Sequence, residues 1–260
     1  KDRCLMGTLV LEGKVADLDV TYAGGYVTRH EAQVADYSDY SFFYDVQYAS
    51  MPQYYGNIFH DKNGNLLSPA QYFTGANYFT KQSHEVRLAT PTSWRLHGVM
   101  GLFYERQTDL MRYEYRVDGL DPAASITGSP GVVWLEQAMR VDRDRAFFTD
   151  MTYDLTSSLS LTGGIRAYHF DNTLDGFAGF GINFPSSDSP YTGENICYTP
   201  IQNNPFLPCK DLNSRATKSS ETHRLNLSYK FDDDRMVYAT WSTGFRPGGV
   251  NRLLSVPPYN

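Results

Sequence analysis

The chain has 260 residues, and 23 basic against 29 acidic side chains leave a formal charge of −6. An acidic chain without a basic stripe is a poor nucleic-acid binder, and no apolar run is long enough to cross a bilayer as a helix. Neither fact excludes a transmembrane barrel, whose strands alternate apolar with polar residues and average out as hydrophilic.

Period-2 alternation recurs in eight stretches, grouped as four pairs with short connections inside each pair and long ones between pairs. The first pair covers 7–13 and 18–37, joined near Lys14–Asp17. The second covers 83–90 and 94–117, joined at Pro91–Thr92–Ser93. The third covers 137–153 and 159–171, joined at 154–158. The fourth covers 222–231 and 235–245, joined at Asp232–Asp233–Asp234. In that last pair Leu225, Leu227, Tyr229 and Phe231 fall on one face, and Arg224, Asn226, Ser228 and Lys230 on the other. A polar face bearing Arg, Glu and Lys does not suit a sandwich core. It suits a water-filled lumen, with the apolar face toward lipid.

The connections point the same way. Turns of a few residues alternate with long loops at about 38–82, 118–136 and 172–221. Outer-membrane barrels carry short periplasmic turns and long extracellular loops. The 20 Tyr, 15 Phe and 3 Trp also suit the aromatic girdles of such barrels. A Tyr-rich secreted β-domain shares that composition.

Candidate functional residues are few. Tyr54, Tyr55, Phe73 and Tyr78 belong to a stretch between 37 and 80 that is dense in aromatics. They either complete the outer girdle or form a stacking surface for a ligand such as a catecholate chelate or a sugar. Arg246 follows Gly244-Phe245, where an outgoing strand reaches the rim, and is the first residue to test for ligand contact. Arg87, Arg95, Arg166 and Arg224 are expected to face the lumen, either drawing in an anionic chelate, or pairing with Glu85 and neighbouring acids or touching a plug. Cys197 and Cys209 bracket a short Pro- and Asn-rich loop, where a local disulfide would suit an oxidising compartment. Cys4 stands alone. The six His lack the spacing of a metal site, and no nucleophile elbow or phosphate loop is present, so neither catalysis nor a cofactor is expected. Asp61-Lys62-Asn63-Gly64-Asn65 resembles the opening of a calcium loop but lacks the later bidentate Glu, and reads as a polar turn.

The segment SHEVRLATPTSWRLHGVMGLFYER (83–106) resembles a signature stretch of TonB-dependent receptors, in which a Ser-x-Glu-x-Arg-Leu strand enters a short turn and a second strand carries Gly-x-Phe-Tyr. ETHRLNLSYKFDDDRMVYATWSTGFRPGGVN (221–251) is similar to a second such stretch, and VADLDVTYAGGY (15–26) to the repeating turn-and-strand pattern. The resemblance implies an all-β fold: part of an antiparallel transmembrane β-barrel of about 22 strands, of which residues 1–260 supply about eight. It implies an outer-membrane location, among membrane lipid and lipopolysaccharide. It also implies uptake of a scarce nutrient, a ferric siderophore before a saccharide, with TonB acting through a plug that these residues do not include. Two other readings of the residues are a small closed barrel acting as an adhesin or structural protein, and a secreted carbohydrate-binding β-domain.

Overall fold

The computed structural model describes residues 1–40, 42, 59–182, 193–194, 208–246 and 248–250. Its strands are β1 (Asp2–Val15), β2 (Leu18–Asp36), β3 (Tyr72–Ala89), β4 (Leu96–Arg116), β5 (Val132–Asp154), β6 (Leu159–Phe180), β7 (Leu212–Lys230) and β8 (Met236–Ser242). They form one sheet in sequence order, each strand antiparallel to the next, with β1 and β8 at its edges. One register irregularity, at Tyr115/Arg116, interrupts the pairing of β4 with β5.

All eight expected strands are present, with their short turns in place. At the β5–β6 turn the Thr156 hydroxyl accepts the Ser158 and Leu159 amides. At the β7–β8 turn Asp232 accepts the Asp234 amide and the Arg235 guanidinium, which hold its carboxyl below the usual range.

The long-loop ends of the strands differ from expectation. β3 begins at Tyr72 rather than Ser83, β5 at Val132 rather than Gln137, and β7 at Leu212 rather than Thr222, while β6 runs on to Phe180. The loops accordingly shrink to 37–71, 117–131 and 181–211. The cause is solvent. In the upper part of β7 both faces are polar, as in Asn213, Ser214, Thr217 and Ser219, so the ladder continues where alternation has ended. β8 errs the other way, stopping at Ser242 instead of Phe245.

The apolar face can be followed across the sheet by register, for example through Leu11, Tyr22, Val86, Leu102 and Phe147, or through Leu96, Tyr153, Leu161 and Leu227. These side chains are open: Leu102 is 63% exposed and Leu227 45%. A contiguous apolar surface of this extent is unstable in water and belongs against lipid. Its upper limit slants. The run ends at Leu5 on β1, Tyr104 on β4, Phe147 on β5 and Leu225 on β7, whereas the β7 residue level with Leu5 is Arg215. A drop of that size, at roughly 3.3 Å per residue and about 4.8 Å between strands, gives a strand tilt of about 45°, as transmembrane barrels require.

β5 has 23 residues. At roughly 3.3 Å per residue and that tilt it rises about 50 Å, twice the apolar band of about 25 Å. The upper half of the long strands therefore stands in water. Two clusters of buried apolar residues lie there, where loops fold back over the strand tops: Phe59, Val117, Leu120 and Val133 form one, and Ile126, Val132, Leu135, Phe177 and Cys209 the other.

Candidate functional site

The polar face of the sheet is a field of paired charges. Arg87 meets Glu85, Lys81 meets Glu105 at 3.0 Å, Arg224 meets Asp150 at 3.2 Å, and Arg166 approaches Asp144 at 3.7 Å while lying over the Phe103 ring. The expectation that acids hold these arginines is met at Arg87, Arg166 and Arg224. Arg95 is a correction. It lies just before β4, where its carbonyl accepts the Asp154 amide at 2.9 Å while its guanidinium donates to the carbonyls of Asp154 and Leu155 and lies over the Tyr153 ring, so no acid holds it. Three buried oxygens on this face, Oδ1 of Asn77, Asp109 and Asp144, have no partner among the described residues.

After β8 the chain leaves the sheet and climbs the polar face of β6. Thr243 still bonds His223. Phe245 then stacks on Tyr168 with ring centroids 3.6 Å apart. The Asn172 amide donates to the Gly248 carbonyl at 2.9 Å, and Val250 is buried with Ala138, Leu174, Ala178 and Leu212. This strap was legible only as a bend at the rim, since Gly248-Gly249 signals a turn but not its direction. Arg246 is exposed on it, between the two anchors.

Above the strap the same face carries aromatics. Trp134 packs near Val250 and meets Tyr115 edge-on at 5.4 Å. Tyr115 contacts Tyr37 at 4.7 Å and Phe73 at 5.3 Å, and Phe73 contacts Tyr113 at 5.5 Å. Two groups of rings therefore share this face: Phe245 on Tyr168 beside Arg246, and higher up Trp134, Tyr115 and Phe73, with the apolar cluster around Val250 between them. Trp134 and Tyr115 were missed in the sequence because they occupy strand positions there, though their even and odd places on paired strands share one face. Tyr78 lies on the opposite face, against His30 at 4.2 Å, since it is an odd number of residues from Phe73. Tyr54 and Tyr55 lie outside the described residues.

The loops above are fastened by carboxylates. Glu194 accepts the amides of Thr127 and Ile182 at 2.9 and 2.7 Å. Asp211 accepts those of Ala178 and Gly193 at 2.9 and 3.0 Å, yet burial outweighs these bonds and pushes its carboxyl up to about 6. Cys209 is buried and disulfide-bonded, Cys4 is free and exposed, and Cys197 lies outside the described residues. Asp61 accepts the amides of Asn63 and Asn65 and the Asn65 side chain, an arrangement that lowers its carboxyl and makes a polar turn. Among the described residues no group of His, Cys, Asp and Glu is arranged to hold a metal ion.

Comparison with known proteins matches residues 11–259 to the family described as TonB dependent receptor-like, beta-barrel. The crystal structure of the ferric yersiniabactin uptake receptor FyuA from Yersinia pestis superposes with a TM-score of 0.63 at 14% identity. That match covers 97% of this chain and 29% of the receptor. At this identity the likeness is one of fold, and the chain spans under a third of the solved receptor. No curated protein matches the sequence.

Proposed function

Because this chain belongs to the TonB-dependent receptor β-barrel family and is an outer-membrane protein, we propose that it forms a wall of a receptor that imports an anionic ferric chelate. Its apolar face meets lipid, and its polar face lines the lumen. Family membership sets aside the small closed barrel and the secreted carbohydrate-binding domain. The receptor binds and passes its ligand without making or breaking bonds. Its energy comes from TonB, acting through a plug outside these residues. The orphaned oxygens of Asn77, Asp109 and Asp144 suit the surface on which such a plug would rest.

One observation carries the ligand class: the strap holds the exposed Arg246 next to the stacked rings of Phe245 and Tyr168 on the lumenal face. Rings alone serve sugars and aromatic chelates equally well. A guanidinium among them favours a ligand with anionic oxygens. The similarity in fold to a ferric yersiniabactin uptake receptor supports the same class.

The test is uptake of radioactive iron by cells carrying the full receptor, with a panel of ferric catecholate, phenolate and hydroxamate chelates. Arg246→Ala should raise the half-saturating concentration about tenfold, the loss of one charge-assisted hydrogen bond. Surface abundance should stay unchanged. Deletion of the gene that spares every ferric chelate and abolishes uptake of a saccharide would overturn the reading.

A further inference from the structure

We propose that the outward face of β4 and β5 carries a binding site for the phosphate groups of an outer-leaflet glycolipid, centred on Arg106, Arg143 and Arg145. The inference rests on the outer-membrane location and not on which ligand is imported.

Arg106 and Arg143 stand directly opposite each other on adjacent strands, and Arg145 shares their face two residues along. Like charges in opposed positions repel, so such a pairing lowers stability unless something anionic lies between them. The protein supplies little. Neither Arg106 nor Arg145 makes an ion pair among the described residues. Arg143 reaches Asp171 only at 3.8 Å, and that carboxylate is already held in two places by Arg215 at 2.7 and 2.9 Å. The nearest other acid on this face, Glu221, is two strands from Arg145 and one row lower, 3.3 Å from His223, too far to pair with the three guanidinium groups. A net positive patch therefore remains, although the whole chain is acidic.

The height of the patch identifies its partner. Arg106 follows Tyr104, and Arg145 follows Phe147 in the upward direction, so both sit on the first step above the apolar run. The row containing Tyr104 and Arg145 also holds His84, stacked on Tyr104, and His169, bound to Ser219 at 2.8 Å. Aromatic and imidazole rings at this level mark the interface, where headgroups lie. A lipid whose acyl chains cover Leu102 and Phe147 would set its phosphates against the three guanidinium groups, each able to give paired hydrogen bonds. A freely diffusing anion would gain no such register with the apolar band.

The experiment uses the intact receptor in non-ionic detergent and native mass spectrometry. The probes are diphosphorylated lipid A, enzymatically dephosphorylated lipid A and inorganic phosphate. The native receptor should hold the diphosphorylated lipid and discriminate against the dephosphorylated form. The triple substitution R106Q/R143Q/R145Q should reduce occupancy about tenfold or more. The triple lysine variant, which keeps the charge, should lie between the two, with heat-modifiable migration reporting that all three fold. Equal binding of dephosphorylated lipid, or unchanged occupancy in the glutamine variant, overturns the site. Occupancy by inorganic phosphate at millimolar concentration with no preference for the lipid overturns the assignment to a membrane source.

Discussion

On β7, Leu225, Leu227 and Tyr229 share the outward face near the short turn, and Thr217, Ser219 and Glu221 share the same face nearer the long loop. The inward side chains alter far less, from Asn226 and Ser228 below to Ser214 and Lys218 above. One strand thus changes character midway without a break in its hydrogen bonds. The change lies in what touches its outer side. Lipid demands apolar side chains, whereas water accepts nearly any, so the lower half is tightly specified outward and the upper half is free to specialise.

The sharpest way to break this contrast is to place one charge in each half. Leu227→Arg should cost about 2–4 kcal/mol of folding free energy, as expected for arginine near the bilayer midplane. Thr217→Arg on the same face should stay within about 0.5 kcal/mol. Urea unfolding of the intact receptor in lipid vesicles measures both, and equal costs would mean that the upper half is also in lipid.

A second test compares faces. Gly101 turns toward the lumen beneath Phe148, where an added Cβ would lie 2.6 Å from the Phe148 ring and from the Val86 carbonyl. Gly101→Ala should therefore destabilise by about 1–3 kcal/mol. Gly163 faces lipid with nothing within 4 Å, so Gly163→Ala should change stability by less than about 0.5 kcal/mol in the same assay.

The third concerns the loop caps. The Asp211 carboxyl is raised to about 6 from 3.8, so the folded form holds its proton more tightly than the unfolded one. Its contribution is full below the unfolded value and is lost as pH rises through about 6. Amide exchange at Ala178 and Gly193 should quicken about tenfold between pH 4 and 7, after correction for intrinsic rates, and Asp211→Asn should flatten that dependence. A flat profile in the unsubstituted protein would sink the assignment.

The smallest effect belongs to the turn end. Ala16 holds a left-handed φ of 53° in the two-residue β1–β2 turn. Ala16→Gly should stabilise the hairpin by about 0.5 kcal/mol, read as a small rise in the urea midpoint.

The same contrast explains what could be read from the sequence. Strand number and antiparallel pairing were legible because lipid enforces alternation, as in Leu225 through Phe231. The strand tops were not, since Tyr72 to Gln82 and Asn213 to Glu221 pair as strands with no lipid to impose a pattern. Arg246 and Phe73 could be chosen by chemistry alone, but the faces of Phe73 and Tyr78 required the register of β3. The path of the strap rests on Phe245 meeting Tyr168, two residues far apart in the chain and without a local signal.

The sheet is a plain meander, in which every strand pairs only with its immediate neighbours in the chain. A change in the length of one loop therefore rewires no other pair. Closing a loop twice as long costs only about 0.6 kcal/mol more. Such a wall can exchange the loops at the far ends of its strands while the lattice below keeps its geometry from one generation to the next.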